Sequence, residues 1–350
     1  MSTRSLNRGN EAEDASVTLL NEHLRVVILP EKGCDVYELR DRRSGVDVLA
    51  KTRLGLADLQ VGRHSRNSTE AWLSQYLGGW QLILPNGGNA AEVDGVEWGF
   101  HGEASTLRWT VERLSSATLR ATVRLTCAPI RVIREFELDG PTLRLREQLV
   151  NESASSQSVM WAQHPAFGAP FLDESCVVSL NAEIVTSDDV SPGTAMAPAS
   201  VHDWPNVISA NGETVDLSIV PKQGSGVACL AYLSKFKSGF FAITNPSLEL
   251  GVAFSWPLET FPVAWFWIEA GAAKGFPWFG SHYTLAVEPA TSAPAQGMNE
   301  LIKKGGSPLL LSPNQVIDAT YEVTTFRDRR MVKDVSQGGS IQFESDANRE

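Results

Sequence analysis

Residues 118–150 of the chain read TLRATVRLTCAPIRVIREFELDGPTLRLREQLV, and this stretch indicates the fold class. In its first ten residues, apolar side chains alternate with polar ones, which is the period of a half-buried strand. Two further runs, 130–138 and 142–150, flank the pair Asp139-Gly140, which is a strong hairpin signal. Together with residues 106–113, the stretch predicts an antiparallel meander.

The rest of the chain continues this pattern of short runs separated by glycine and proline. Helix signals are scarce, at 70–77 before Gly78 and at 298–304 before Gly305. Many short strands with such connections predict an all-β protein, a large antiparallel β-sandwich with one or two short helices. Further strands are expected at 16–20, 24–29, 35–40, 157–163, 176–186, 215–220, 226–233, 238–244, 249–256, 263–269, 281–288 and 317–326.

The chain has 350 residues, of which 43% are hydrophobic, and this is enough for a large core. We predict a flexible leader at 1–15, a single domain at 16–332 and a polar C-terminal tail at 333–350. The 41 acidic and 30 basic residues give a net charge of −11, which disfavours nucleic acid as a partner. No run approaches the ~18 apolar residues that a membrane span requires, so no membrane partner is expected.

The spacing of the cysteines indicates whether the protein works in a reducing or an oxidising compartment. The four cysteines form no C-x-x-C pair and no zinc-type cluster with histidine, so no metal site is expected. We interpret them as free thiols in a reducing compartment. Because the N-terminal residues have no apolar signal segment, we expect a cytoplasmic protein. The cysteines are Cys34, Cys127, Cys176 and Cys229.

Three short motifs, far apart in the sequence, offer groups suited to proton transfer. They are His101-Gly102-Glu103, the run QHPAFG at 163–168, and the run LAVEP at 285–289. Imidazole is the side chain whose unperturbed pKa allows both protonation states near neutral pH. A carboxylate beside it can act as the base while the imidazole acts as the acid.

A glycine-rich run, GGWQLILPNGG at 78–88, precedes the first motif. Glycine allows the backbone to approach a ligand closely. Asn86 has donor and acceptor groups that suit a sugar hydroxyl. Trp80 either stacks on the apolar face of a sugar or fills the core, and the sequence favours neither role over the other.

In order and local sequence, these motifs resemble the galactose-mutarotase-like family, the aldose 1-epimerases. That family has a glycine-and-asparagine loop, a strand that opens with His-Gly, and an Asn-x-Ser strand end that leads to a second histidine. A late strand then ends in Glu-Pro. The resemblance spans roughly residues 20–325, and the corresponding segments are 78–88, 101–102, 151–153, 160–168 and 288–289.

The resemblance implies both a fold and a set of roles. It implies the supersandwich fold of the mutarotases. Glu288 resembles the glutamate that takes the proton of the anomeric hydroxyl, and His164 the histidine that protonates the ring oxygen. His101 resembles the histidine that holds or polarises the substrate. The implied reaction is interconversion of α and β anomers by ring opening and reclosure, which requires no cofactor and has a small-molecule sugar as its partner.

Three further residues are candidate sugar ligands. Arg66, just before the glycine-rich run, could select an anionic sugar or belong to a solvated charge cluster. Trp267 lies in an aromatic and proline-rich segment of the kind that forms sugar-binding walls. His282 shares a strand face with Glu288 by the period of two. A homodimer is also expected, although the sequence does not define the oligomeric state.

Two departures from the family pattern leave the substrate open. Asn86 is followed by glycine, where better-known aldose 1-epimerases have arginine, and a sugar-gripping aspartate cannot be located in the sequence. A different or modified sugar is therefore expected. Two other functions stay open: a non-catalytic sugar-binding or sensor protein, and an isomerase or lyase that reuses His164 and Glu288 on a modified sugar.

Overall fold

The structure is a computed structural model, and it describes residues 16–56 and 67–345. The described residues are mostly strands and turns, with two short helices, α1 (Ser68–Leu73) and α2 (Met298–Lys303). The strands in chain order are β1 (Val17–Leu20), β2 (Leu24–Leu29), β3 (Asp35–Asp41), β4 (Trp80–Ile83), β5 (Ala91–Val93), β6 (Val96–Trp98), β7 (Thr110–Arg113), β8 (Thr118–Arg124), β9 (Ile130–Asp139), β10 (Thr142–Asn151), β11 (Gln157–Val159), β12 (Ala162–Gly168), β13 (Val177–Leu180), β14 (Ile184–Ser187), β15 (Val201–Asp203), β16 (Asn206–Ile208), β17 (Thr214–Asp216), β18 (Ala228–Ser234), β19 (Phe240–Asn245), β20 (Leu250–Ser255), β21 (Val263–Ala270), β22 (Tyr283–Ala290), β23 (Leu309–Leu311), β24 (Val316–Phe326), β25 (Val332–Val335) and β26 (Ile341–Phe343).

Two large sheets contain most of these strands. The ten-stranded sheet has the order β1-β2-β3-β4-β12-β22-β21-β18-β14-β15. The eight-stranded sheet has the order β13-β19-β20-β24-β10-β9-β8-β7. Neighbouring strands in both sheets are antiparallel, and the main hydrophobic core lies between them. The predicted all-β antiparallel sandwich is confirmed.

The stretch at 118–150 forms β8, β9 and β10, three adjacent strands of the eight-stranded sheet, as predicted. Asp139 pairs with Thr142, so the two central residues of the hairpin turn are Gly140 and Pro141. Gly140 has φ +52°, in the left-handed region that favours glycine. The buried face of β8 carries the alternating apolar residues that the period of two predicts.

Some predicted strands are divided in the structure. The run at 176–186 becomes β13 in the eight-stranded sheet and β14 in the ten-stranded sheet. Between them, Asn181 accepts hydrogen bonds from the backbone N–H groups of Lys237 (3.1 Å) and Ser238 (3.3 Å). The run at 157–163 likewise divides into β11 and β12. An apolar run carries no signal for the point where the chain changes sheets.

The predicted tail from residue 333 contains part of a β-hairpin, formed by β25 and β26. Val332 and Val335 are buried against Phe240 and Phe326 in a small hydrophobic cluster. Apolar residues inside the polar segment therefore hold it against the sandwich. The predicted leader at 1–15 lies outside the described residues.

All four cysteines are free thiols, and Cys127 is the one that is only half-buried. Burial raises the pKa of the Cys34, Cys176 and Cys229 thiols to about 12. Over residues 16–56 and 67–345, no helix has the length and apolar character needed to cross a membrane.

A polar network inside the core determines which side chains of β12 point inward and which point outward. Arg134 and Glu147 form a fully buried ion pair, with Nε and Oε2 2.8 Å apart. Gln163 donates to Glu147 (3.0 Å) and accepts from the indole N–H of Trp80 (2.9 Å). These bonds hold Gln163 toward the eight-stranded sheet. Because successive side chains of a strand point to opposite faces, His164 points to the outer face of the ten-stranded sheet.

Candidate active site

The two predicted proton-transfer residues face each other across adjacent strands. His164 is on β12 and Glu288 is on β22, and strand pairs two residues to either side place them directly opposite each other. Nε2 of His164 and Oε1 of Glu288 are 3.6 Å apart. Gln81 pairs with His164 on the other side, and Trp265 pairs with Glu288. Residues separated by more than 120 positions thus become neighbours through sheet register.

A cavity of about 310 Å³ opens over this part of the sheet. Its volume is at the small end of the range for ligand pockets. His101, His164 and Glu288 all line it, so the three predicted motifs meet in one place. The walls are mainly aromatic, formed by Trp72, Tyr76, Phe100, Trp265, Trp267 and Trp278.

Burial shapes the electrostatics of the pair. The side chain of Glu288 is 4% exposed, and burial raises its pKa well above the ordinary value. Burial lowers the pKa of His164 to about 4, outweighing the opposing effect of its own main-chain carbonyl. Both shifts disfavour charge, so this buried environment favours the neutral carboxyl and the neutral imidazole. This neutral pair holds the same number of protons as a carboxylate with an imidazolium, and proton transfer within the pair interconverts the two.

His101 is oriented by the backbone of the glycine-rich run. Its own N–H donates to the carbonyl of Gly88 (2.9 Å), and its Nδ1 accepts from the N–H of Gly88 (3.1 Å). Burial holds the pKa of His101 well below its usual range, and the nearby charge of His164 adds to this. A neutral imidazole that accepts at Nδ1 carries its proton on Nε2. His101 is therefore set as a hydrogen-bond donor through Nε2.

Glycine is required at two positions of this loop. Gly88 has φ +86°, and a Cβ there would lie 2.0 Å from the carbonyl oxygen of Ala295. Gly102 has φ +70°, and a Cβ there would lie 2.1 Å from the carbonyl oxygen of Leu84. These glycines let backbone pack on backbone, and this packing places His101 in the cavity.

The prediction of Trp80 as a sugar ligand is wrong, and its alternative role in the core is correct. Trp80 is 1% exposed and points between the sheets, where its ring lies 5.1 Å from that of Phe254. The reason is strand alternation, which turns Trp80 inward and its neighbour Gln81 outward.

The prediction of Asn86 as a ligand for a sugar hydroxyl is also wrong. Asn86 is fully buried, and its Nδ2 donates to the carbonyls of Asn89 (2.7 Å) and Gly99 (3.0 Å). Its Oδ1 accepts from the N–H of Met298 (2.8 Å), the first residue of α2. Backbone groups use both amide hydrogens and one lone pair of Oδ1, so Asn86 fastens the loop to α2.

Replacing Asn86 is therefore expected to affect stability. Asn86→Ala leaves a buried N–H and two carbonyls without this partner, at a cost of about 1–3 kcal/mol for each unsatisfied group. We expect urea unfolding to show a clear loss in the free energy of unfolding. Asn206→Ala, at an exposed position of β16, serves as the control and should change stability by about 0.5 kcal/mol or less. Equal effects of the two changes would contradict the assigned role.

The other predicted ligands have different outcomes. Trp267 lines the cavity, and its ring centroid is 5.6 Å from that of His164. His282 shares the face of Glu288, and its ring stacks on Trp278 at 4.2 Å and lies 5.7 Å from the ring of Trp267. It packs against the aromatic wall, and its role as a sugar ligand stays a prediction. Arg66 lies outside the described residues.

The helix predicted at 70–77 forms as α1 (Ser68–Leu73), but sequence reasoning missed that this segment lines the site. Asn67 caps α1 by accepting from the N–H groups of Thr69 (2.9 Å) and Glu70 (3.3 Å). Trp72, within α1, and Tyr76, just after it, line the cavity, and their ring centroids are 5.1 Å apart. The spacing of four between these two aromatic residues was an available signal that they share one side of the segment.

Asp188, just after β14, also lines the cavity and was missed. Its Oδ1 accepts from the N–H groups of Val190 (2.9 Å) and Ser191 (2.6 Å). Its Oδ2 accepts from Gln296 (2.6 Å) and from the hydroxyl of Tyr232. Four donors hold this buried carboxylate in place. The sequence around it contains no motif that would have indicated the site.

The part of the chain that the structure describes contains no cluster of three or more His, Cys, Asp or Glu side chains placed to hold a metal ion.

A family model matches residues 14–324, nearly the whole chain. The chain belongs to the family described as "Domain of unknown function (DUF4432)". No curated protein matches it.

Solved structures share the fold at low sequence identity, and the similarity covers most of both chains. At these identities, the similarity establishes the fold alone, and it confirms the predicted resemblance to galactose-mutarotase-like proteins at that level. The similar structures include the Slr1438 protein from Synechocystis sp. PCC 6803 (15% identity, 94% of this chain and 100% of that chain, TM-score 0.63), a galactose mutarotase-like protein from Clostridium acetobutylicum (16%, 89% and 95%, 0.63) and a galactose mutarotase related enzyme from Lactobacillus acidophilus (12%, 89% and 97%, 0.59).

Proposed function

We propose that this protein is an aldose 1-epimerase, which interconverts the α and β anomers of a small sugar. The observation that carries the proposal is the pair His164 and Glu288, with Nε2 and Oε1 3.6 Å apart on the wall of a cavity of about 310 Å³. Ring opening of a hemiacetal needs one proton removed and one delivered on neighbouring oxygens, and an opposed acid and base can do both.

In the proposed reaction, the carboxylate of Glu288 takes the proton of the anomeric hydroxyl. The electron pair of that O–H bond forms the C1=O1 double bond, and the C1–O5 bond breaks. O5 takes the proton from Nε2–H of the His164 imidazolium. Rotation about C1–C2 and the reverse steps close the ring on the other face of the aldehyde. The protons added and removed balance, so the pair returns to its starting state.

The surrounding groups would hold the ring during these steps. His101 offers Nε2–H to a sugar oxygen, since its Nδ1 is already bonded to the backbone. Trp265 and Trp267 provide faces that suit the apolar side of a sugar ring. Asp188 also lines the cavity, and its four hydrogen bonds fix the position of this part of the wall.

Proton transfer by the acid and the base can supply the acceleration that this reaction needs. A positioned general acid or base contributes about 10²–10⁴-fold to a rate. This corresponds to about 3–5 kcal/mol of barrier for each group. Mutarotation already proceeds in water, so the modest help of one acid and one base is enough.

The pKa shifts predict a wide pH range of activity. The pair must hold one transferable proton. On the acid side, activity is lost when His164 gains a second proton, and its lowered pKa puts this near pH 4. On the alkaline side, activity is lost when Glu288 loses its proton, and its pKa is raised well above the ordinary value. An unperturbed pair would instead be active only between about pH 4.3 and 6.5.

The measurement is kcat/KM for anomer exchange from pH 3.5 to 9, with the buffer-catalysed rate subtracted. We expect a plateau of kcat/KM that includes neutral pH. The apparent pKa values at its two edges describe the coupled pair as a whole and not either residue alone. An alkaline limb centred near pH 6.5 would contradict the neutral pair.

The function itself is tested by exchange NMR or optical rotation on freshly dissolved hexoses, pentoses and acidic sugars. Acceleration over buffer for at least one sugar is the expected result. Saturable binding without faster exchange would favour the sugar-binding or sensor protein. A product with a changed mass or ultraviolet absorbance would favour a lyase. The cytoplasmic location and the homodimer stay predictions.

A further inference from the structure

The row of polar residues extends beyond the reacting pair. Val36 pairs with Trp80, which places Asp35 opposite Gln81, and Gln81 pairs in turn with His164. Asp35, Gln81, His164 and Glu288 therefore lie side by side on β3, β4, β12 and β22. All four are buried, with exposed fractions of 2%, 0%, 5% and 3%. We call these four residues the polar row.

The amide group of Gln81 is fixed in orientation. Its Nε2 donates to the carbonyl of Gly78 (2.7 Å) and lies 3.4 Å from Oδ2 of Asp35. Asp35 is held by an ion pair with the buried Lys32, which also donates to the carbonyl of Ser105 (3.2 Å). Both hydrogens of the amide nitrogen are thus directed away from His164, and Oε1 is the end left free.

Two atoms of the polar row complement each other. Oε1 of Gln81 and Nδ1 of His164 are both buried without a hydrogen-bond partner. Residues directly opposite each other in an antiparallel pair have Cβ atoms about 4.5–5.5 Å apart. A carbonyl-type oxygen can only accept, so it suits a nitrogen that carries a proton. Buried polar atoms of this kind are rarely left unsatisfied in proteins.

We propose that Gln81 is a positioning residue, whose Oε1 accepts the Nδ1–H of His164 directly or through one bound water. This contact keeps Nε2 as the nitrogen that faces Glu288 and the substrate. It also favours the imidazolium, because both of its N–H groups then have acceptors. After Nε2 gives up its proton, the imidazole remains in the Nδ1–H form that Gln81 already accepts. The catalytic consequence rests on the proposed function, whereas the choice of tautomer does not.

Two other groups compete for this role, and the first is the main-chain carbonyl of His164 itself, which opposes the lowering of the ring's pKa. The second is the hydroxyl of Tyr76, which is also buried without a partner, and the ring centroid of Tyr76 is 5.7 Å from that of His164. The position of Gln81 in the polar row, with its amide nitrogen directed away, favours Gln81. The titratable groups around His164 that bear on its protonation are Lys32, Asp35, Tyr76, His101, His282 and Glu288.

The test is the tautomer of His164, read from the ¹⁵N chemical shifts of its two ring nitrogens at pH 7. The His164 signals are assigned by their loss in His164→Asn. We expect the Nδ1–H form in the full-length protein and in Tyr76→Phe. Gln81→Met keeps the shape but removes the acceptor, so we expect its spectrum to move toward the Nε2–H form. Gln148→Met, on the eight-stranded sheet, is the matched control and should leave the signals unchanged.

The spectra alone decide whether Gln81 sets the tautomer of His164. An Nε2–H tautomer in the unmodified protein would overturn the proposal without any variant. It would also be overturned if Gln81→Met left the tautomer unchanged, or if Tyr76→Phe shifted it and Gln81→Met did not.

The rate of anomer exchange tests the consequence. Gln81→Met should lower kcat by about 10–100-fold, the range for outer-shell partners of metal-binding histidines, with little change in KM. If no sugar shows faster exchange but the tautomer follows Gln81, the proposed function fails and the positioning role stands. If exchange occurs and Gln81→Met alters neither kcat nor tautomer, this inference fails and the proposed function stands.

Discussion

Glu288→Gln is expected to lower the rate of anomer exchange by about 10²–10⁴-fold, the contribution of a general base. The amide has nearly the shape of the carboxyl group but cannot take the proton of the anomeric hydroxyl. The effect should fall on kcat, because the aromatic walls and His101 that hold the sugar are unchanged. Exchange NMR at saturating sugar gives the measurement. A rate within tenfold of the unmodified protein would exclude Glu288 as the base.

The stability of the same variant tests whether burial raises the pKa of Glu288 in the folded protein. The pKa of Glu288 in the folded protein lies above its unfolded value, so the unfolded chain binds fewer protons above about pH 4.3. The unmodified protein therefore loses stability as the pH rises from there through the folded pKa. Glu288→Gln has no such loss. We expect its melting temperature to equal or exceed that of the unmodified protein, with a gap that widens from pH 5 to 8.

His164→Asn is expected to lower kcat by a similar factor, about 10²–10⁴-fold. Asparagine places an amide near the position of Nδ1 but has no group at Nε2, which lies 3.6 Å from Oε1 of Glu288. The proton for the ring oxygen then has no donor. His23→Asn, at an exposed position beside β2, is the matched control and should keep the full rate. Equal rates for the two variants would exclude His164 as the acid.

The double variant shows whether the two residues act as one unit. If Glu288 and His164 serve the same proton transfer, removing both should cost little more than removing the more important one. If the two effects multiply, the residues contribute independently. In that case the pair is not the reacting centre that its geometry suggests.

Sequence reasoning succeeded where local chemistry carries the information. The alternation in β8 to β10 and the Asp139-Gly140 signal identified antiparallel sheet, because the period of two is a property of the strand itself. The three motifs identified His101, His164 and Glu288, which the cavity brings together. Strand alternation turns Gln163 and His164 to opposite faces, but nothing in the local sequence indicates which of the two faces the core.

Only the tertiary structure decided the rest. Trp80 and Trp267 look alike in the sequence, yet one fills the core and the other lines the cavity. Asn86 appears free to bind a ligand until the backbone groups that use it are seen. The chain by itself therefore determined the strand-forming pattern and the reactive residues, because both depend on neighbours in sequence. The pairing of His164 with Glu288 and with Gln81 depends on sheet register between distant strands, which no local pattern encodes.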